Sequence, residues 1–338
     1  MGRVFTGFLK LAFVAALLLA GAAWWWLNQP MPLRLQPGSQ VVDLEIEPGT
    51  RGVAALVVAS GADVPEPLLQ AWFRLSGQAR QIKAGSYELV PGTSPRKLLR
   101  MLVRGEEALK SVTLVEGWTF TQVRAALQKA EQLTPESIGL SSEIIMQKLD
   151  RTGVHPEGRF FPDTYTYAKG SSDLAVLKRA ARAMDKRLDA AWALRQPDTP
   201  LKTPEQALIL ASIIEKETGM AADRAEIGGV FINRLRAGML LQTDPTVIYG
   251  LGAEFDGNLR KRHLQADTPY NTYTRAGLPP TPIAMPGKAA LLAAVQPAPT
   301  QALYFVSRND GTGRSQFSSN LDEHNRAVNK YLRSQSKP

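Results

Sequence analysis

Between Leu11 and Leu27 the chain carries no charged side chain, and the uncharged stretch continues to Leu33. This run restricts the fold more than any other feature. As a helix rising ~1.5 Å per residue, Leu11 to Leu27 covers about 25 Å, close to the apolar thickness of a bilayer. Arg3 and Lys10 precede it without an acidic neighbour. That asymmetry leaves a short N-terminus, residues 1–10, in the cytoplasm and sends everything beyond a span at 11–29 outward. Trp24, Trp25 and Trp26 fall where an interfacial aromatic belt belongs. The rival reading is a cleaved signal peptide, since Ala20-Gly21-Ala22 resembles a small-residue cleavage site. The apolar run continues past that site through the tryptophans, which favours a retained single-pass anchor in the cytoplasmic (inner) membrane. Either way the body of the protein is exported, to the periplasm or the cell exterior.

The net charge of +9 favours anionic partners: nucleic acid, lipid headgroups or an anionic polymer. Export removes nucleic acid and leaves the cell envelope. No cysteine occurs, which excludes disulfides, thiolate catalysis and iron–sulfur clusters. His155, His263 and His324 are scattered, so neither a metal site nor a cofactor is expected, and each histidine reads as a surface or satisfied residue. With 44% hydrophobic and 21% charged residues the chain reads as folded, apart from a frayed tail at Ser334 to Pro338.

After a short linker containing Pro30 and Pro32, one pattern occurs three times. An alternating strand at Val41 to Ile46 leads through Pro48-Gly49-Thr50 into a helix with Val53, Leu56 and Val57. Ser86 to Val90 leads through Pro91-Gly92-Thr93 into a helix with Leu98, Leu99 and Leu102. Val112 to Val115 leads through Glu116-Gly117-Trp118-Thr119 into a helix with Val123 and Leu127. Each turn supplies a Gly for the reversal and a Thr able to cap the next helix. Residues 120–200 read as helical and charged, interrupted by a loop at Glu157 to Tyr165 in which Phe160 and Phe161 pack on the domain that follows.

Beyond Pro200 the sequence begins to carry chemistry. Thr203-Pro204-Glu205-Gln206 reads as a capping box with Pro at the first helical position, and Gly219 as the matching stop. Between them lie Glu215 and Glu217, two residues apart and on nearly opposite sides of a helix, so they cannot act as a pair. Ile214, Ile213 and Leu210 precede Glu217 by three, four and seven residues, so Glu217 continues the apolar stripe, while Glu215 follows a smaller, mixed face. A carboxyl at the edge of apolar packing is disfavoured as an anion, which suits a general acid. A second helix, about Ala222 to Ala237, presents Ile227, Val230, Phe231 and Leu235. In the next segment Asp244, before Pro245, reads as the N-cap of a short helix, while Gln242, Thr243 and Tyr249 are free for a hydroxyl-rich ligand. Tyr270-Asn271-Thr272-Tyr273-Thr274 interleaves rings with amides and hydroxyls, the mix that binds a sugar; the plainer account is a tyrosine-anchored loop.

Ala211-Ser212-Ile213-Ile214-Glu215-Lys216-Glu217-Thr218, Val230-Phe231-Ile232-Asn233-Arg234-Leu235, Leu241 to Gly250, and Tyr270-Asn271-Thr272-Tyr273 followed by Gly277-Leu278-Pro279-Pro280 closely resemble the endolytic murein transglycosylase family, also called YceG-like. The resemblance covers essentially the whole chain. It implies an α+β protein: a transmembrane helix at 11–29, a LysM-like peptidoglycan-binding subdomain at 40–110, and a mixed α+β catalytic domain at 111–333 with its core at 200–333. It also implies a lyase that cuts peptidoglycan between N-acetylmuramic acid and N-acetylglucosamine, leaving 1,6-anhydromuramic ends and terminating strand elongation beside peptidoglycan synthases. The second Glu of the Glu-Lys-Glu run is catalytic in the family, which falls on Glu217, and Gln242, Thr243, Asp244, Tyr249, Asn271 and Tyr273 are the expected substrate contacts. Two rivals stay open: a water-using muramidase with Asp244 as second carboxylate, and a non-catalytic wall-binding scaffold.

Overall fold

The structure, a computed structural model, describes residues 2–35, 40–47, 49–106 and 109–335. Pro48, in the first expected turn, lies outside them, as do residues 336–338 of the expected tail. The fold is mixed α+β, with helices α1 (Gly2–Asn28), α2 (Val53–Ser60), α3 (Glu66–Leu75), α4 (Pro95–Arg104), α5 (Phe120–Lys129), α6 (Ser142–Lys148), α7 (Asp173–Ala193), α8 (Pro204–Glu217), α9 (Ala221–Arg236), α10 (Asp244–Leu251), α11 (Lys261–Gln265), α12 (Lys288–Val295) and α13 (Leu321–Gln335). The strands are β1 (Val42–Ile46), β2 (Gly85–Leu89), β3 (Leu109–Thr113), β4 (Thr164–Ala168), β5 (Tyr304–Ser307) and β6 (Ser315–Ser318). They pair two by two, β1 with β2, β3 with β4, and β5 with β6. Two compact units result: Met1–Lys110 with Tyr167–Lys169, and Ser111–Thr166 with Gly170–Pro338.

In the first unit, α1 is long and apolar enough over Lys10–Asn28 to cross a membrane. Trp24 and Trp25 are exposed, but Leu27 is buried, and Trp26 and Met31 pack in the core that α2, α3, α4 and the β1–β2 pair share. The segment after Pro30 is therefore no slack linker. Met31 N donates to the Thr93 carbonyl, Arg34 N to Gly61 and Asp63 N to Pro32, each at 2.8 Å. Strand β1 alternates buried and exposed residues as its sequence demands, and pairs antiparallel with β2 from Val42 opposite Leu89 to Ile46 opposite Gly85. The three expected strand–turn–helix passages are present, although the third strand, β3, starts three residues earlier than the Val112 to Val115 expected and ends at Thr113, and two further differences stand out. An extra helix, α3, stands between the first passage and the second, and only Thr119 caps the helix that follows, in a reciprocal box with Gln122. Thr50 and Thr93 instead donate backward, to the carbonyls of Glu47 and Val90, and Ser94 caps α4.

The second unit is organised around α8, whose residues Ala207 to Ile214 are buried without a break. A helix that is apolar all round must be enclosed, and α7, α9, α10 and α12 pack on it. Phe161 joins this core and Phe160 stacks on Phe120, ring centroids 5.2 Å apart, so the Glu157 to Tyr165 loop packs inward as its doubled Phe implies. Helix α9 reaches the enclosure through two glycines. A Cβ on Gly228 would lie 2.4 Å from the Ala293 carbonyl oxygen of α12, and one on Gly229 would lie 2.8 Å from that of Ala298. Ser334, expected in a frayed tail, belongs to the last turns of α13, its hydroxyl bonded to the Tyr331 carbonyl.

Gly228→Ala is expected to destabilise the chain. Overpacking costs about 1–3 kcal/mol where the neighbour is backbone, more than the ~1 kcal/mol that Ala gains over Gly in helix propensity. Urea unfolding in detergent would read this as a lower midpoint, and a raised midpoint would rule out the close approach of α9 and α12.

Candidate functional site

Thr203 starts α8 by accepting from Gln206 N at 3.2 Å, while the Gln206 amide oxygen accepts from Lys202 N, one residue short of a closed capping box. The helix stops at Glu217 because Thr218 turns to extended backbone; Gly219 is not the left-handed stop expected of it. The last helical residue thus emerges at the rim of the buried bundle, carboxyl first. Its Oε1 accepts from the hydroxyl of Thr243. Burial pushes the Glu217 carboxyl up to about 7, against the Thr243 bond; Asp244 nearby raises it further and the Arg234 guanidinium opposes.

Glu215 leaves the helix in another direction, as the two-residue spacing requires. It does not occupy an open face, for its side chain is only 6% exposed. Oε2 accepts from Gly287 N at 2.8 Å, and Oε1 lies 3.6 Å from Arg224 Nη2. Burial raises its pKa, and the Gly287 bond opposes. Glu215 fastens the loop before α12.

A cleft of about 390 Å³ opens beside Glu217, walled by Gln242, Asp244, Tyr273, Arg234, Tyr304 and His324 among others. Gln242 adopts left-handed backbone (φ 49°), a strained geometry for a residue other than Gly, and its N donates to the Thr272 carbonyl. Thr243 lies just behind the wall, 2% exposed, bonded to Thr272 Oγ1 through its N and to Thr246 through its carbonyl. The Thr243 hydroxyl that meets Glu217 therefore sits on a buried, hydrogen-bonded backbone. Asp244 is the first residue of α10 and not its cap; Thr243 occupies the cap position, because Pro245 fits at the second helical position. The Asp244 side chain is free to face the cleft, where Oδ1 accepts from the Tyr273 hydroxyl at 2.5 Å. Burial and that partner raise the Tyr273 hydroxyl above its ordinary value.

Two expected contacts stand elsewhere. Asn271 is fully buried; its Nδ2 donates to the carbonyls of His263, Leu264 and Ala266, and its Oδ1 accepts from Tyr273 N. That amide knits the loop and presents Tyr273. Tyr249 turns away from the cleft, packs edge-on against Tyr270 and donates to Glu157 Oε2 at 3.1 Å. Of the aromatic and amide run, only Tyr273 lines the cleft, since Tyr270 bonds Thr281 and Thr272 is buried.

Several residues here gave no separate signal in the sequence. Arg234, 8% exposed, donates to the carbonyls of Leu303, Leu240 and Leu241 and lies 5.2 Å from the centre of the Tyr304 ring. His324, read as a bland histidine, stacks on the same Tyr304 ring, centroids 5.0 Å apart. Burial, then Arg234, lowers its pKa, so neutral imidazole is favoured. Glu157 is 4% exposed and accepts from Phe120 N and Tyr249; burial pushes it up to about 7. Among the described residues no group of three or more His, Asp or Glu is placed to hold a metal.

A buried α-helical unit carrying one perturbed carboxyl at the edge of a polar and aromatic cleft has the makings of an acid–base site. The sequence profile of the YceG-like family matches residues 44–330, and the chain belongs to that family. It is 31% identical over 312 residues to an endolytic murein transglycosylase of Bacillus subtilis (strain 168), covering 87% of this chain and 85% of the relative. It is 28% identical over 288 residues to an endolytic murein transglycosylase of Streptococcus pneumoniae (serotype 2 strain D39), of whose length the match spans 51%. A crystal structure of a YceG-like protein from Listeria monocytogenes superposes with a TM-score of 0.53 at 26% identity, over 86% of this chain and 99% of that one.

The Glu157 carboxyl sets a pH test. Its pKa is raised in the fold, so the native state holds a proton that the unfolded chain gives up between about pH 4.5 and 7. Stability is therefore greatest at the acid end of that window and is lost as pH rises through about 7, with Glu217 contributing in the same direction. Glu157→Gln has no proton to lose, so its unfolding midpoint should fall less than that of wild type between pH 5 and 8. Equal slopes would mean that Glu157 is not held neutral.

Proposed function

We propose that the chain is an endolytic lytic transglycosylase of peptidoglycan, held at the cytoplasmic membrane through residues 11–29 with the remainder outside. The observation that carries this reading is the carboxyl of Glu217, pushed by burial up to about 7 and facing a cleft of rings and hydrogen-bonding groups. Such a group is protonated often enough to act as an acid near neutral pH and ionises readily enough to act as a base afterwards. Protonated Glu217 gives its proton to the glycosidic oxygen between N-acetylmuramic acid and N-acetylglucosamine, and the C1–O bond breaks. Positive charge grows at C1. The C6 hydroxyl of the muramic residue then closes on C1 as a 1,6-anhydro ring, and the Glu217 carboxylate takes up the hydroxyl proton. No water is consumed and Glu217 ends as it began.

Around this step Thr243 aims the carboxyl, Gln242 and Tyr273 position the sugar, and Asp244 faces the space where positive charge develops. Arg234 restrains the rise of the Glu217 pKa. Asn271 and Tyr249 support the walls from behind. The names of the relatives favour the same activity. The strand–helix–helix–strand order β1-α2-α3-β2, its strands antiparallel, supports a LysM-like wall-binding subdomain at 40–110, ahead of a catalytic domain at 111–333 with core 200–333. Cleavage of nascent strands beside the synthases that make them, ending elongation, follows from tethering at the membrane. A second reading has support in Asp244. Close enough to Glu217 to perturb it, Asp244 could serve as base for a water molecule, which would make the enzyme a muramidase.

Digestion of purified peptidoglycan followed by mass spectrometry separates these readings. Anhydromuramic ends are expected; reducing ends would establish the muramidase, and uncut strands a non-catalytic scaffold. Glu217→Gln should slow cleavage by about 10²–10⁴-fold while leaving the fold intact. Glu215→Gln should lower thermal stability through the Gly287 bond and slow cleavage far less. A wild-type rate in Glu217→Gln, with a large loss in Glu215→Gln, would move the active face to the other side of α8.

For topology, a C-terminal reporter that works only in the cytoplasm should stay silent. Activity from it would refute the outward orientation, while a soluble mature protein would indicate cleavage near Ala22.

A further inference from the structure

Next to the cleft, the β5–β6 hairpin and α13 enclose a second groove of about 440 Å³, lined by Arg308, Asp310, Glu323, Arg326 and Lys330 among others. Its acids are engaged locally. Asp310 accepts from the backbone N and hydroxyl of Thr312, and Glu323 from the N and hydroxyl of Ser319. Its cations bond neither acid directly, although, beside those bonds, Arg308 and Arg326 help to hold Asp310 and Glu323, respectively, below the usual carboxylate range. Arg326 and Lys330 are exposed and form no hydrogen bond or ion pair among the described residues, and Arg308 uses only Nε, on the Ser315 carbonyl. Arg326 and Lys330 stand four residues apart on one face of α13, where like charges repel, and Glu323 offsets Arg326 in part. With three cations facing two ionised carboxylates the groove keeps a positive excess, which favours a carboxylate or a similar planar anion that a guanidinium fork suits well.

The two hollows share their walls. Strand β5 lends Tyr304 and Phe305 to the cleft and leads to Arg308 in the groove, and α13 lends Leu321 and His324 to the cleft and Arg326 and Lys330 to the groove. At ~3.3 Å per residue along the strand and ~1.5 Å along the helix, Arg308 lies roughly 10–13 Å beyond the cleft residues of β5 and Lys330 roughly 9 Å beyond His324, with Arg326 between them at roughly 3 Å. A peptide of three residues extends about 10 Å. Murein carries such a peptide on each muramic acid, with free carboxylates along it. We infer that this groove receives the acidic peptide stem of the strand whose sugars occupy the cleft, an inference that rests on the transglycosylase reading. The groove would make the enzyme select strands that still bear their stems.

The test compares stem-bearing strands with strands stripped of stems by an amidase, using the full chain in detergent and the double variant Arg326→Gln/Lys330→Gln. Both positions are exposed, so the variant should fold, and its thermal midpoint checks this. On stem-bearing strands KM should rise about tenfold in the variant, the order expected for losing charge-assisted bonds at an open site. Turnover, and KM on stripped strands, should not change. No rise, or an equal rise on both substrates, overturns the assignment. Calorimetric titration of the full chain with free stem peptide reads the groove without catalysis, and binding that survives in the double variant also overturns it. If the wild type binds the stem but cuts neither strand, the groove stands and the enzymatic reading falls.

Discussion

The second unit depends on the enclosure of α8. Eight consecutive residues, Ala207 to Ile214, leave water completely, and every neighbouring element is placed by the need to cover them. A carboxyl at the end of such a helix has an apolar bundle at its back and solvent only in front. Its pKa follows from that position. One hydroxyl, that of Thr243, fixes its direction, and the Thr243 backbone is itself held on both sides by the buried hydroxyls of Thr246 and Thr272. The chemistry is thus an outgrowth of the packing.

The same enclosure separates two carboxylates of identical chemistry. Glu215 and Glu217 differ by two residues and about 200° of helix. One lands on a backbone N–H and an arginine, the other on a cleft. A fold can in this way assign opposite tasks to neighbouring side chains without any change of residue type. Arg234 illustrates the converse. Its charge is held among three carbonyls and an aromatic ring, so that it acts on Glu217 as a fixed field and never as a mobile partner.

What the sequence revealed is governed by range. The position of Glu217 was legible because it depends on Leu210, Ile213 and Ile214, all within two turns. The three strand–turn–helix passages were legible for the same reason, and the family motifs marked the remaining walls. Arg234 was not, since an arginine near a helix end reads as solvated until the Leu303 carbonyl, 69 residues away, is brought to it. Asn271 and Tyr249 looked available for sugar because amides and phenols bind sugars and loops equally well; which of the two claims them depends on carbonyls and carboxylates that only the fold supplies. Asp244 was displaced from its expected cap by one residue, a shift too small for sequence reasoning to resolve.

In the first unit the long apolar helix ends against a folded core, with Leu27 and Met31 buried and the chain pinned to Thr93, Gly61 and Asp63 immediately after. In a bilayer, that junction would behave as a rigid mast and not as a tether. The small unit could drift with the lipids and spin about the helix axis, but it could neither rise away from the headgroups nor tip freely.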